Sequence, residues 1–548
     1  MLDVKHFHQT YDVITNATLK TFRPGSNIVL GFRVGMLIIM VSFSQLSLCT
    51  TNNTGYNAQS NVTTAPFDFK GAYTTKLPDT THNVAGRLDR TKASKRSNGP
   101  PNLVLIIADD LGWPYLGVLG DNNVMTPNLD LLGKDGAIFS MGHSSSNICA
   151  PTLRTLISGL YPVQYERRAS EIAKARIAKV GGIPKTADNS HKLELVKKEY
   201  ETGAIEHFNT LPRMLKNKGY VSHQSGKWWE QSYQHGGFTD GMTKGWSWQD
   251  LVVQGNSGFF TQMGGWGNSI GRTTMKPIDK FLQENAHRPF FLWFAPSLPH
   301  SPLNPPYRFY KYFDTRTDLS ESAKLYYANI AWFDWSVGQL VDDLEKNGAL
   351  HNTLIVYLSD NGWDQEADKE YIADYLNLAN GGPRGKASFF DTALRTPFVF
   401  HWPEKIKPLK DDQHLVNAID IVPTLLDYAG VAIPKELPGY SLKPVLEGGN
   451  INNPRPFMVG RLTNHRSGTN FRGQILNKND DPMGIKMIGY YRRDSRWHFV
   501  WLPSSDEFAL YDLQINPRQT IDYSSKSPDL VKLFKADILS WRSMYETE

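Results

Sequence analysis

Cysteine is scarce in this chain, which has only Cys49 and Cys149 among its 548 residues. Cys49 ends a hydrophobic segment near the N-terminus, so removal of that segment would leave a single cysteine. One cysteine cannot form an internal disulfide, and this excludes the small disulfide-stapled scaffolds common among exported proteins. Cys149 is therefore either a buried, inert thiol or a cysteine retained for chemistry.

The chain also lacks a strong charge imbalance and a long apolar run. The formal net charge of +5 is small for this length and does not indicate nucleic acid binding. The apolar run 34–41 follows Arg33. It is too short to cross a bilayer, which takes roughly 20 apolar residues, but it has the size of a signal-peptide core. We therefore expect residues 1–49 to be a targeting segment, either a signal peptide or a membrane anchor, on an exported protein that is periplasmic, cell-surface or secreted.

The length predicts more than one compact unit, because a single core rarely serves a chain of 548 residues. Residues 50–100 are rich in Thr, Asn, Ser and charge, and we interpret them as a flexible linker. We expect a large domain over 101–455 and a smaller C-terminal subdomain over 456–548. Aromatic-rich strands within Met487–Trp501 and a closing helix at Leu530–Trp541 predict an antiparallel sheet-plus-helix unit there.

Three continuous apolar runs predict strands buried on both faces, at Asn102–Ala108, Pro289–Ala295 and Asn352–Leu358. Helical periodicity is found at Ala328–Leu344 and Ile419–Ala429. This pattern is typical of an α/β fold with a large mixed, mostly parallel sheet flanked by helices.

Polar side chains follow two of these strands. Asp109 and Asp110 come after the first, and Asp360 and Asn361 come after the last. In open α/β sheets ligands bind at this carboxyl edge. Oxygen ligands without imidazole or thiolate suit calcium or magnesium rather than zinc. Each pair alone could be a helix cap or a turn, but two such pairs favour a metal site.

Cys149 precedes Pro151 and a series of apolar residues at helical spacing. This pattern predicts that Cys149 lies at or near the N-terminus of a helix. Free backbone N–H groups at that position attract anions, and a thiolate there would be a good nucleophile.

The sequence is similar to the formylglycine-dependent sulfatases, an arylsulfatase-like family of the alkaline phosphatase superfamily. The run C-A-P-T-L-R-T-L-I-S-G from Cys149 aligns without a gap with the family signature, C-x-P-x-R followed by a helix. P-N-L-V-L-I-I-A-D-D-L-G and H-N-T-L-I-V-Y-L-S-D-N-G resemble the strands that carry the two metal pairs. K-A-S-F-F-D-T-A-L-R-T-P, from Lys386, resembles the lysine segment. The resemblance runs from about residue 101 to residue 548.

The resemblance implies a sulfuric ester hydrolase that releases inorganic sulfate from a sulfated small molecule or glycan. A formylglycine-generating enzyme would oxidise Cys149 to formylglycine, whose hydrate attacks sulfur and then expels sulfate. A plain thiolate or a serine would instead leave a stable adduct. No nucleic acid partner is implied.

The resemblance also assigns the remaining site residues. One calcium ion would be held by Asp109, Asp110, Asp360, Asn361 and the modified Cys149. The residues that would neutralise developing charge or protonate the leaving group are Lys227, His300 and Lys386, besides the catalytic Cys149.

Two positions depart from the family pattern. Leu153 stands at the signature arginine, and Arg154 follows one place later, which is about 100° of helical rotation. The family's G-K-W-H ends here in Trp229, so one charge-stabilising histidine is absent. We interpret the chain as a divergent active sulfatase.

Two alternatives and one substrate hypothesis accompany this interpretation. The alternatives are a phosphodiesterase or phosphonate monoester hydrolase of the same superfamily and a non-catalytic protein that binds sulfate esters. The segment 231–272 is rich in Gly, Trp, Phe and His, and two interpretations stay open: it packs on itself, or it stacks on sugar rings, a hypothesis suggested by Trp246, Trp248 and Trp266.

Overall fold

The computed structural model describes residues 99–255, 258–364, 384–451, 454–464, 472 and 487–546. The predicted targeting segment and nearly all of the predicted linker lie outside these ranges. Within them, no helix has the length and apolarity that a membrane crossing requires.

The elements are numbered here in chain order. The strands are β1 (Asn102–Ala108), β2 (Ala137–Phe139), β3 (Gly142–His143), β4 (Val221–Gly226), β5 (Asp240–Gly241), β6 (Phe290–Ala295), β7 (Thr353–Ser359), β8 (Phe398–His401), β9 (Leu409–Asp411), β10 (Val416–Asn417), β11 (Met458–Asn464), β12 (Met487–Arg493), β13 (Trp497–Leu502) and β14 (Glu507–Asp512). The α-helices are α1 (Pro127–Asp135), α2 (Cys149–Ser158), α3 (Pro162–Lys179), α4 (Ser190–Gly203), α5 (Leu211–Lys216), α6 (Trp248–Gln254), α7 (Gly258–Gln262), α8 (Lys276–Asn285), α9 (Tyr307–Tyr310), α10 (Glu321–Lys346), α11 (Ile421–Tyr428), α12 (Lys443–Leu446) and α13 (Pro528–Tyr545).

The main sheet has eight strands in the order β5-β4-β6-β1-β7-β8-β2-β9. Every pair from β5 to β7 is parallel, whereas β8 runs antiparallel to both β7 and β2. The central strands β1, β6 and β7 are buried along their whole length, as expected when helices cover both faces of a parallel sheet. The predicted α/β fold with a mixed, mostly parallel sheet is confirmed.

The predicted elements of this domain are present with small shifts in their ends. Strand β1 has the predicted bounds, and β6 and β7 each begin one residue later than predicted. Helix α10 begins seven residues before the predicted start at Ala328, because the Ser320 side chain caps it by accepting from the Ala323 N–H.

The smaller sheet has four antiparallel strands in the order β11-β12-β13-β14. Successive strand residues point to opposite faces, so the two faces of this sheet have different partners. Val500 belongs to a core cluster with Phe389, which comes from the main domain. Its neighbour Phe499 packs on Phe534 of α13, with ring centroids 5.9 Å apart. The predicted antiparallel sheet with a closing helix is confirmed, while its predicted start at residue 456 stays a prediction.

A buried ionic cluster joins the smaller sheet to the main domain. Asp391 accepts from Arg493 Nε of β12 at 2.8 Å, and its Oδ1 also lies 2.9 Å from His143 Nε2 of β3. All three side chains are at most 5% exposed. Burial opposes the carboxylate charge, but Arg493 and His143 hold the pKa of Asp391 well below its usual value.

Replacing Asp391 with asparagine is expected to lower the free energy of unfolding by about 3–5 kcal/mol, because Arg493 would keep an unpaired charge in the interior. Urea unfolding followed by tryptophan fluorescence measures the change. Asp506→Asn is the matched control, since Asp506 pairs with Lys535 at the surface, where an ion pair contributes little. Equal stability of the two variants would contradict a structural role for the cluster.

Candidate active site

The predicted site residues meet at the carboxyl edge of the main sheet. Strands β4, β6, β1 and β7 are consecutive and parallel, so the residues that follow them come together. Oxygen atoms of Asp109, Asp110 and Asp360 and the sulfur of Cys149 all lie within 4.8 Å of one another. All four residues are buried.

Register and backbone geometry explain why these side chains converge. Ala108 pairs with Ser359, so the residues after β1 and β7 start level with each other. Consecutive residues of a strand point to opposite faces, but Asp110 has a left-handed backbone with φ of 69°. This turn lets Asp110 join Asp109 in the cluster, a conformation that aspartate adopts more readily than most residues.

A short hydrogen-bond network holds the acidic residues in place. The Asp110 N–H donates to Asp360 Oδ1 at 3.1 Å, and Asn361 Nδ2 donates to Asp110 Oδ1 at 2.7 Å. Among the described residues, Asp360 Oδ2 and Asn361 Oδ1 have no hydrogen-bond partner although both atoms are buried. Buried acceptors without a donor are costly, and a cation is the natural partner for them. The donor set is oxygen-rich, which fits a hard divalent ion such as calcium.

Two lysines enter the same cluster from different parts of the chain. Lys227 Nζ lies 2.5 Å from Asp109 Oδ1 and 3.6 Å from Asp360 Oδ2. Lys386 Nζ lies 2.8 Å from Asp110 Oδ1. Burial disfavours both ammonium groups, but the facing carboxylates raise the pKa of Lys227 and of Lys386, so both stay charged.

Lys227 is placed by the end of β4. Its N–H donates to the Ala295 carbonyl at 2.7 Å, which continues the pairing of β4 with β6. Gly226 has φ of 86°, and a Cβ there would lie 1.9 Å from the same carbonyl oxygen. Glycine is therefore required immediately before Lys227.

His300 lies at the edge of the cluster. Its Nε2 is 3.7 Å from Asp110 Oδ2, and its Nδ1 is 2.5 Å from the Ser301 carbonyl oxygen. Burial lowers the pKa of His300 below its usual value. The loop that carries it is held by Arg272, which donates to the carbonyls of Ser297 at 2.6 Å and of His300 at 2.8 Å.

The charge balance of the cluster is uneven. Three carboxylates face two ammonium groups, counting Lys227 and Lys386 as the positive charges. Burial, and after it the charge of Asp109, raises the pKa of Asp360 to about 8, whereas Lys386 and His300 pull the pKa of Asp110 below its usual value against its burial. Burial also raises the pKa of the Cys149 thiol to about 12.

Cys149 is the first residue of helix α2, as predicted, and it is 8% exposed. The residue two places before it connects three segments of the site. Asn147 Nδ2 donates to the carbonyls of Ser388 at 2.8 Å and Thr463 at 2.9 Å, and its own carbonyl accepts from the Ala387 N–H at 2.9 Å. These bonds fix together the segment before Cys149, the loop that follows Lys386 and strand β11 of the smaller sheet.

The two departures from the family pattern have different structural outcomes. Leu153 is buried in the hydrophobic core on the Cys149 side of α2. Arg154 is engaged by another carboxylate, since its Nε donates to Glu230 Oε1 at 2.6 Å. Trp229 packs edge-on against Phe259, with ring centroids 5.6 Å apart. Arg154 therefore does not replace the missing arginine, and Trp229 does not supply a charged group.

The three tryptophans predicted to stack on sugars are in unlike environments. Trp246 and Trp248 are each 8% exposed and pack in a hydrophobic cluster with Leu195 and Leu251, so their rings are not free for stacking. Trp266 is 48% exposed. For these two rings the stacking hypothesis is therefore wrong, and the alternative interpretation, packing within the segment's own core, holds.

Sequence reasoning missed Asn147, Arg272 and Glu230. Asn147 and Arg272 act through backbone carbonyls, and Glu230 pairs with an arginine 76 residues away. None of these partners produces a local pattern. The one available signal was that a polar residue, Asn147, stands two positions before Cys149.

Comparisons with known proteins agree with this geometry. A family model described as Sulfatase matches residues 101–431, more than half of the chain, and one described as N-sulphoglucosamine sulphohydrolase, C-terminal, matches 384–539. The N-acetylgalactosamine-6-sulfatase of Canis lupus familiaris is 26% identical over 461 residues, which cover 77% of this chain and 75% of that protein. An arylsulfatase of Clostridium perfringens (strain 13 / Type A) is 24% identical over 476 residues, covering 76% and 89%.

Solved structures share the fold. Crystal structures of Ps i-CgsB, alone and in complex with k-i-k-neocarrahexaose, match with a TM-score of 0.59 and with 22% and 21% identity. Each match covers 82% of this chain and 94% of the other. The family match over more than half of the chain shows that this protein belongs to the sulfatase family and is a sulfuric ester hydrolase.

Proposed function

We propose that this chain is a formylglycine- and calcium-dependent sulfatase that releases inorganic sulfate from a sulfated carbohydrate. The observation that carries the proposal is the meeting of Cys149 with three buried carboxylates inside 4.8 Å, at the N-terminus of helix α2. Anions bind at such helix ends, so a sulfate group is a suitable ligand for this position.

The ion would be held by the oxygens of Asp109, Asp110, Asp360 and Asn361. Calcium there would offset the excess negative charge and act as a Lewis acid on a bound sulfate ester. The two buried acceptors without donors, Asp360 Oδ2 and Asn361 Oδ1, support this assignment. The soft sulfur of Cys149 is the one ligand atom out of place in a hard oxygen set, and its conversion to an oxygen-bearing group would complete that set.

Formylglycine supplies, as its hydrate, one hydroxyl that displaces the alcohol from sulfur and a second that allows sulfate to leave. The backbone of helix α2 fixes the position of residue 149 by its first turn. Lys227 and Lys386 approach the cluster from the two sides of β1 and are charged, so both can stabilise negative charge as it develops. His300 lies nearest to the solvent among these groups, and its protonated imidazole can give a proton to the departing alcohol. Burial lowers the pKa of His300, so this contribution should weaken as the pH rises.

A carbohydrate substrate is supported by the relatives. The name N-acetylgalactosamine-6-sulfatase refers to an enzyme that acts on a carbohydrate. The structure of Ps i-CgsB in complex with k-i-k-neocarrahexaose contains a bound carbohydrate. The signal-like segment at 34–41 supports export. A formylglycine-generating enzyme would convert Cys149 during maturation. The alternative two-zinc phosphohydrolase needs several histidine ligands. Within the described ranges, the clusters of side chains that could hold a metal ion contain one histidine, His300.

The proposal is tested with protein coexpressed with a formylglycine-generating enzyme and supplied with calcium. Ion chromatography would measure sulfate released from p-nitrophenyl sulfate and from a panel of sulfated monosaccharides that includes N-acetylgalactosamine 6-sulfate. Release from members of both groups is the expected result. Absence of release from every probe, with residue 149 converted, would overturn the proposed function.

Replacing Lys386 with glutamine is expected to lower kcat by roughly 10²- to 10³-fold, because one preorganised positive charge is removed from the developing sulfate charge. Steady-state kinetics with p-nitrophenyl sulfate measures the effect. Lys280→Gln is the control, since Lys280 is 75% exposed. Calcium should still raise the melting temperature of the Lys386 variant. If calcium no longer raised it, Lys386 would act by building the metal site.

A further inference from the structure

A cavity of about 350 Å³ lies beside the candidate nucleophile. Ile148 and Pro151, on either side of Cys149 in sequence, both line it. The cavity is also lined by four charged side chains, those of Arg154, Glu166, Glu201 and Arg461. A cavity of this size fits the range found for small-molecule sites, and its walls come from helices α2, α3 and α4 and strand β11.

Arg154 is fixed in this cavity by a buried carboxylate. Its Nε donates to Glu230 Oε1 at 2.6 Å, and the other oxygen of Glu230 accepts from Tyr165 OH at 2.8 Å. Glu230 is 3% exposed and Arg154 19% exposed. The two terminal amino groups of Arg154 make no hydrogen bond within the described part of the chain. The guanidinium is thus held rigidly by one edge while the other edge stays available.

Such an arrangement is hard to explain by stability. A buried ion pair is commonly no more stabilising than well-packed apolar residues, since desolvation offsets the attraction. Glu230 and Tyr165 do, however, orient Arg154 precisely enough to recognise a ligand. A pre-oriented guanidinium loses little side-chain entropy when it binds, which is the usual reason to support a binding residue from behind.

The charges of the cavity wall select the kind of ligand. Arg461 pairs with Glu166 and lies 3.8 Å from Glu546 Oε1, and Glu201 adds a second carboxylate to the lining. The two guanidinium groups of the lining are matched by Glu166 and Glu201, and Glu230 already pairs with Arg154, so a second sulfate or a carboxylate would gain little here. A hydroxyl group both donates and accepts, and it can pair with guanidinium and carboxylate groups in turn.

We propose that this cavity binds an uncharged, hydroxyl-bearing sugar residue of the sulfated substrate and that Arg154 and Arg461 determine that specificity. The inference rests on the proposed function. It gives Arg154 a role in recognition of the sugar and leaves the sulfur chemistry to the acidic cluster.

Arg154→Lys is the informative variant, because lysine keeps a charge beside Glu230 but loses the free pair of donors. We expect kcat/KM for the best sulfated monosaccharide of the panel to fall by about 10- to 100-fold, the effect of losing a charged hydrogen bond. The value for p-nitrophenyl sulfate, which has no sugar ring, should change by less than about twofold. Arg461→Lys should behave alike, and Arg168→Lys, at an exposed arginine of α3, is the control.

Each other outcome has a definite meaning. An equal loss for both kinds of substrate would place Arg154 in folding or in the chemical step and overturn the proposal. Unchanged kinetics for both would also overturn it. If doubly sulfated sugars were preferred and lost that preference in Arg154→Lys, the ligand would be an anion rather than a neutral ring. Hydrolysis of p-nitrophenyl sulfate but of no sugar sulfate would overturn the cavity proposal alone, and hydrolysis of neither would overturn the proposed function.

Discussion

Replacing Cys149 with serine is expected to lower steady-state sulfate release by about 10⁴-fold or more and to leave a sulfated enzyme. A serine hydroxyl can form a bond to sulfur while the sulfur–alcohol oxygen bond breaks and the alcohol leaves with the proton. The resulting serine sulfate has no second hydroxyl from which sulfate could be expelled. Cys149→Ala, which has no hydroxyl, should lose activity without forming the adduct.

Peptide mass spectrometry separates these outcomes. Native protein should show residue 149 with its thiol replaced by an aldehyde oxygen, and the serine variant incubated with substrate should gain the mass of SO₃. An active native enzyme with an unmodified Cys149 thiol would contradict the formylglycine proposal. Conversion is itself informative here, because Leu153 occupies the arginine position of the signature and lies buried in the core.

Much of the site could be predicted from local sequence. A strand buried on both faces has an unmistakable apolar run, and parallel strands must bring their carboxyl ends to one edge. Asp109 and Asp360 could therefore be placed together although they are 251 positions apart. The same reasoning placed Cys149 at a helix N-terminus, because proline and apolar periodicity mark the first turn.

The rest depended on contacts that leave no local trace. The Arg154–Glu230 pair and the bonds from Asn147 join distant segments, and their partners include backbone carbonyls common to every residue. Trp246 and Trp248 illustrate an ambiguity of composition, since aromatic residues in a polar, glycine-rich segment fitted both an exposed stacking surface and a local core. Both rings pack in a core beneath that segment, because burial of large apolar side chains outweighs local composition.

Removing the charge of Asp360 tests the metal site through two readouts, the rate of catalysis and the stabilisation of the protein by calcium. Asp360→Asn retains an oxygen that can accept from the Asp110 N–H, so the local backbone should be kept. It reduces the carboxylates from three to two, which then balance Lys227 and Lys386. We expect kcat to fall by about 10³-fold, because Lewis-acid stabilisation is worth several kcal/mol.

The thermal stability of the same variant should change in opposite directions with and without calcium. Without the ion and above about pH 8, where the Asp360 carboxyl is ionised, native protein holds an uncompensated negative charge in its interior, and Asp360→Asn should melt at the same or a higher temperature. With calcium at about 1,000 times its dissociation constant, native protein should gain roughly 4 kcal/mol and the variant far less. Differential scanning calorimetry measures both, with Asp188→Asn, at the surface, as control. A variant that is less stable without calcium yet gains as much from it as native protein would show that Asp360 has a structural role and that the ion binds elsewhere.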